Sequence, residues 1–189
     1  MKLKMLTATL MLAMSVSTAW AKPFVEIKTN KGTMLVELYP EKAPKTVDNF
    51  LQYVTSHHYD GTIFHRVISN FMIQGGGMDK DLNERPTRPP IRNEADNGLT
   101  NSFASIAMAR TGDPHSATSQ FYINVANNTS LNHSEKSDRG WGYCVFGKVV
   151  KGMEVAEHIS HLPTDGGDLP IQTILIEYIK VIEDKKAGE

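Results

Sequence analysis

The sequence predicts a mainly-β domain, an antiparallel sheet closed into a barrel, and three observations carry that expectation. Runs with apolar residues at alternate positions recur at short intervals, only two segments carry helical spacing, and nowhere does strand alternate regularly with helix as a parallel sheet requires. A sheet with one apolar face must bury it, and closing the sheet on itself also removes the edges where other chains pair. With 189 residues, 40% of them hydrophobic and 22% charged, the chain suits one ordinary globular domain. A formal charge of -1 and the lack of basic clusters interleaved with aromatics argue against a nucleic-acid surface.

The N-terminus differs from the remainder. Lys2 and Lys4 form a basic start, Met5 to Val16 is mostly apolar, and Ala19-Trp20-Ala21 offers a small-x-small cleavage pattern. Residues 1–21 therefore read as a secretory signal peptide and 22–189 as one domain. The apolar run is short for a bilayer span, so no membrane attachment is expected after cleavage.

Phe24 to Thr29 and Thr33 to Tyr39 alternate around Asn30-Lys31-Gly32 and read as a hairpin. Val47, Phe50, Leu51 and Val54 then recur at helical spacing after Pro44, which predicts an amphipathic helix from Pro44 to about Ser56. Tyr59-Asp60-Gly61 returns the chain to strand. Ile63 to Ile68 and Phe71 to Ile73 flank the turn-like pair Ser69-Asn70; at period two Arg66 shares a face with Phe64 and Ile68, and Gln74 with Met72. Gly75-Gly76-Gly77 is not followed by Gly-Lys-Ser/Thr and reads as a strained turn rather than a phosphate loop. Met78 to Asn101 has no period and reads as a surface loop framing a cleft. Alternation resumes at Phe103 to Ala109 and at Gln120 to Val125, the latter with Gln120, Tyr122 and Asn124 on one face and Phe121, Ile123 and Val125 on the other. Tyr143 to Val150 is a further strand, Met153, Ala156 and Ile159 mark a second short helix, and Ile171 to Val181 is a final β-branched strand.

A guanidinium, a neutral amide and bulky apolar groups brought together suit the binding of a small apolar ring whose flanking backbone is hydrogen-bonded, and proline in a peptide is such a ring. Phe-His-Arg-Val-Ile (64–68) followed by Phe-Met-Ile-Gln-Gly-Gly (71–76) resembles the signature of the cyclophilin family of peptidyl-prolyl cis/trans isomerases. The resemblance runs from about Phe24 to about Val181 and is strongest to periplasmic bacterial members. It implies a closed eight-stranded antiparallel β-barrel with a helix capping each end, no cofactor and no metal, and proline-containing polypeptides as substrate. Assistance to the folding of exported proteins, a periplasmic location and action as a monomer are further expectations.

Rotation about an Xaa-Pro bond meets a barrier of roughly 18–20 kcal/mol, although the isomers differ by only about 0.5–1 kcal/mol. A catalyst has to stabilise a twisted amide whose nitrogen can accept a hydrogen bond, without a nucleophile or a general base. The resemblance assigns the donor role to Arg66, backbone orientation to Gln74 and Gln120, and the proline pocket to Phe71, Met72, Tyr122 and Leu131. Ala109 stands beside the pocket, and the backbone of Arg110 pairs with the peptide. Tyr122 stands where the family most often has Phe, Ser130 where many eukaryotic members have Trp, and Tyr143, itself placed at the substrate site, where they have His. These departures count against sensitivity to cyclosporin more than against isomerisation. A peptide-binding or chaperone module keeping the same cleft is the competing class, and the presence of Arg66 and Gln74 favours the enzyme.

The remaining reactive residue types read as structural. His65 fits the strand. His57, His58, His115, His133, His158 and His161 lack metal-ligand spacing and are expected at the surface. Cys144, the only cysteine, lies in an apolar run and reads as a small buried hydrophobe. Asn127, Asn128 and Asn132 each begin an Asn-x-Ser/Thr sequon in a loop expected to stay unmodified, and no Gly-x-Ser-x-Gly elbow accompanies the serines.

Overall fold

The computed structural model describes residues 23–182, so the signal-peptide reading of residues 1–21 falls outside the described residues. Eight strands form the barrel: β1 (Phe24–Thr29), β2 (Gly32–Leu38), β3 (Thr62–Ile68), β4 (Met72–Asp79), β5 (Ser105–Met108), β6 (Phe121–Asn124), β7 (Val145–Lys151) and β8 (Leu175–Ile182). Their order around the wall is β1-β2-β7-β5-β6-β4-β3-β8, closing back on β1, and every neighbouring pair is antiparallel. The two segments of helical spacing are α1 (Pro44–Thr55) and α2 (Met153–Ser160).

Alternation decides which side chains fill the interior. Val25, Ile27 and Thr29 of β1 point inward with Met34, Val36 and Leu38 of β2, and the register pairs Val25 with Val36 and Ile27 with Met34. Leu38, at the end of β2, pairs with Gly147 near the start of β7, whereas Leu35 pairs with Lys151 at its end. Because α1 follows β2 and α2 follows β7, the helices occupy opposite ends of the barrel. From α1, Phe50 meets Phe146, Tyr59 and Phe121 at ring-centroid distances of 5.1, 5.3 and 5.7 Å; from α2, Ala156 and Ile159 are fully buried.

Helix α1 starts without a capping side chain from Ala43. Glu94, on the connection after β4, takes that role from a distance: its carboxylate accepts the N–H of Thr46 at 2.9 Å, the hydroxyl of Thr46 at 2.8 Å and the N–H of Lys45 at 3.2 Å. It thereby satisfies donors that a helix N-terminus leaves open, and its charge opposes the positive end of the helix dipole.

Four sequence expectations are corrected. Gly75-Gly76-Gly77 is no turn but lies inside β4. A Cβ at Gly76, whose φ is +84°, would meet the rings of Phe121 and Tyr59, and one at Gly77 would fall on the side chain of Gln120, so these positions are bare because neighbours occupy their space. Arg66 does not share a face with Phe64: Phe64 pairs with Gly75 but Arg66 with Gln74, so His65 is an extra residue that turns Phe64 and Val67 inward and Arg66 outward. The segment Met78 to Asn101 is not simply a surface loop, since Met78 and Asp79 belong to β4 and Asn93, Ala95 and Asn101 are buried. Finally, His58 and His133 are half-buried rather than exposed; His58 packs on Tyr53 at 4.6 Å, and Nδ1 of His133 lies 2.9 Å from the Trp141 carbonyl.

Candidate active site

The outward faces of β4, β5, β6 and β7 carry apolar groups that the barrel interior does not use. Met72, Ala107, Tyr122 and Val145 form a second buried cluster, with Phe71, Ala109, Leu131 and Tyr143 packed against it. Above it opens a cleft of about 110 Å³ lined by Arg66, Phe71, Met72, Gln74, Ala109, Arg110, Tyr122, Leu131 and Tyr143. Small-molecule pockets usually measure about 300–1,000 Å³, so this one is a slot for a single small ring. Nine of the ten predicted site residues line it. The tenth, Gln120, stands behind Gln74 and accepts a 2.9 Å hydrogen bond from Gln74 Nε2. A larger depression of about 400 Å³ between α1 and the segment Arg88–Arg92 contains none of them.

The β3 bulge places Arg66 at the cleft. Its Nε is 3.4 Å from Oδ2 of Asp168, while Nη1 and Nη2 have no partner among the described residues. Asp168 is itself anchored to β3, because its carbonyl accepts the N–H of Val67 at 2.8 Å. The guanidinium side chain is 46% exposed, so it is held at one nitrogen and open at the other two. His65, the bulged residue, is half-buried; burial, and secondarily the charge of Arg66, holds its imidazole below the usual histidine range.

Aromatic and polar groups shape the opposite wall. Tyr122 and Tyr143 meet edge to face at 5.9 Å, and the Arg110 guanidinium lies 4.7 Å from the centroid of the Tyr143 ring. Arg110 is further fixed through Nε to the Gly142 carbonyl at 2.9 Å and Nη1 to the Thr111 carbonyl at 2.9 Å, leaving its backbone N–H and C=O without partners among the described residues. Leu131 comes from the single turn Thr129–Leu131 and accepts the Tyr143 N–H at 2.9 Å. The extra hydroxyl of Tyr122 is paired: it donates to Oδ1 of Asn101 at 2.7 Å, and burial pushes its ionisation well above the usual tyrosine range. Ser130 is exposed and does not line the cleft.

Sequence reasoning did not single out Asp168 or Asn101. Asp168 sits 102 residues from Arg66, so no local pattern links them. Asn101 closes a stretch without period, and only its buried position reveals its use. Among the sequons, Asn128 has its Nδ2 committed to the Phe71 carbonyl at 2.8 Å and to Asn124 Oδ1 at 2.6 Å, which leaves no free amide for a glycan. Cys144 is buried, with its thiol pushed up to about 12 by burial, and is inert as a nucleophile. Among the described residues no three His, Cys, Asp or Glu side chains gather as a metal site, and no helix is long and apolar enough to cross a membrane.

The site thus offers a ring-sized apolar slot, a permanently charged donor beside it, a carboxamide and an unpaired stretch of backbone. Residues 24–181 match the family described as cyclophilin type peptidyl-prolyl cis-trans isomerase/CLD. The chain is 54% identical over 162 residues to a peptidyl-prolyl cis-trans isomerase of Streptomyces antibioticus, covering 84% of this chain and 98% of the relative. It is 48% identical over 163 residues to peptidyl-prolyl cis-trans isomerase B of Escherichia coli, covering 84% and 99%. Among solved structures, a cyclophilin type isomerase of Cryptosporidium parvum, crystallised in the presence of the dipeptide Ala-Pro, superposes with a TM-score of 0.72 at 29% identity, covering 85% of this chain and 99% of that one. With its eight-stranded barrel and its match across almost the whole described chain, the protein belongs to the cyclophilin type peptidyl-prolyl cis-trans isomerases.

Proposed function

We propose that this isomerase acts on proline-containing segments of exported polypeptides in the periplasm, with Arg66 as the group that stabilises the twisted imide. The observation that carries the catalytic part is the position of Arg66: one nitrogen is braced by Asp168 and two are unengaged beside the slot lined by Phe71, Met72, Tyr122 and Leu131. With the proline ring in the slot and its flanking backbone on Gln74 and the main chain of Arg110, an Nη–H donates to the imide nitrogen as that atom becomes pyramidal and its lone pair localises. The interaction exists only in the transition state, so it lowers the barrier rather than tightening the ground state. No proton has to change hands, and none of the neighbouring histidines is required.

A protease-coupled assay on a short Xaa-Pro peptide tests the catalytic part. Arg66→Ala is expected to lower kcat by about a hundredfold, the scale on which one preorganised donor acts. Wild-type rates in a folded Arg66→Ala protein would remove Arg66 from the mechanism. Export rests on the N-terminal pattern, and sequencing the mature protein from its native host is expected to begin at Lys22. An intact Met1 there would place the protein elsewhere.

A further inference from the structure

Behind the slot lies a group of buried carboxamides that no substrate can reach. Asn101 is 1% exposed, and both ends of its side chain are committed. Its Oδ1 accepts the Tyr122 hydroxyl at 2.7 Å and Asn124 Nδ2 at 3.2 Å. Its Nδ2 donates to the carbonyls of Leu131 at 3.1 Å and Tyr143 at 3.3 Å, and to Asn132 Oδ1 at 3.3 Å. Through Asn124 the connection continues to Asn128, whose Nδ2 reaches both Asn124 Oδ1 and the Phe71 carbonyl. Four residues lining the slot, Phe71, Tyr122, Leu131 and Tyr143, come from separate parts of the chain and are all tied into this network, while Asn101, Asn124 and Asn128 do not line the cleft.

We propose that Asn101 is a positioning residue that sets the shape of the proline slot, fixing the distance between its aromatic and aliphatic walls; the proposal rests on the reading of this cleft as the substrate site. Leu131 and Tyr143 belong to irregular chain rather than to strands, so the barrel ladder does not hold them. A buried carboxamide in a low-dielectric surrounding does so with directional bonds, and its removal would leave the Tyr122 hydroxyl and the Tyr143 carbonyl unpaired. A slot that has widened binds the ring less well in the ground state and the transition state alike. The expected signature is therefore a raised KM with kcat preserved, the opposite of the loss at Arg66. A residue serving stability alone would instead lower the active fraction, reducing kcat at constant KM.

Steady-state kinetics on one Xaa-Pro peptide, with thermal unfolding recorded in parallel, separate these outcomes for wild type, Asn101→Ala, Tyr122→Phe, the double variant and Arg66→Ala. Asn101→Ala is expected to raise KM about tenfold, equivalent to ~1.4 kcal/mol of binding, with kcat within about twofold. Tyr122→Phe, which keeps the ring and cuts one tie, is expected to raise KM about threefold, and the double variant should be no worse than Asn101→Ala, because the tie is shared. An unchanged KM in folded Asn101→Ala, a fall in kcat alone, or additive effects in the double variant overturns the proposal. Should Asn101→Ala fail to fold, Tyr122→Phe decides: a raised KM supports the role and a wild-type KM refutes it. If Arg66→Ala keeps full activity, the reading of the cleft falls and the proposal with it; if Arg66→Ala loses activity while Asn101→Ala keeps a wild-type KM, only the proposal falls.

Discussion

Arg66 combines a charge that survives at any working pH with a rigid fork of donors, of which Asp168 occupies only Nε. A lysine in its place would keep the charge and lose the fork. Arg66→Lys is accordingly expected to lose most of the kcat that Arg66→Ala loses, and the wild-type kcat should stay flat between about pH 6 and 9, as read from peptide isomerisation at saturating substrate. A bell-shaped profile would point to a titrating group and remove the proton-free mechanism. Nine cleft residues were legible because the chain resembles a known family, Arg66, Phe71, Met72 and Gln74 within two short motifs and the other five through later segments that follow the family in order; the brace at Asp168 was not, since a contact across 102 positions leaves no mark in either neighbourhood. Asn101 was hidden for a different reason: a polar residue in an aperiodic stretch reads as solvated, and only burial shows that its amide is spent inside.

At the level of strands and helices, alternation and short apolar or β-branched runs marked stretches that overlap the strands, the number eight came from the resemblance, and the spacing of Val47, Phe50 and Val54 located α1. The pattern failed where the chain departs from the period. One extra residue at His65 reverses the facing of β3, which turns an arginine expected beside Phe64 to the outer wall. Three consecutive glycines resembled a turn because small residues usually mark one, whereas here they make room in β4 for Phe121, Tyr59 and Gln120. The remote cap on α1 follows the same logic, since Glu94 lies 48 residues beyond the Thr46 it serves. Glu94→Ala is expected to destabilise the fold by about 1 kcal/mol, the usual scale for losing a helix cap, as measured by denaturant unfolding. KM and kcat should not change, because Glu94 does not touch the cleft.

For the molecule as a whole, closure of the barrel gives each of the described strands a hydrogen-bonded neighbour on both sides. Stability should depend on pH in a direction that the buried and paired groups fix. Burial lowers the ionisation of His58 and His65, while Lys180 and Tyr178 lower that of Glu26, and Lys136 that of Asp96. A group depressed in the folded state stabilises fully above its unfolded value and loses that contribution as pH falls. Denaturant midpoints are therefore expected to hold near neutrality, to decline first below about pH 6.5 as the histidines bind protons, and to decline again below about pH 4 with the carboxylates. A midpoint that rises on acidification from pH 7 to 5 would contradict this assignment. The placement of the slot on the outside of the wall, with the lumen filled by side chains, has a last consequence. A client need not be threaded by an end: any stretch of a long polypeptide can lie sideways across the surface, be turned about one bond and lift away with both its flanks still attached to whatever they were part of.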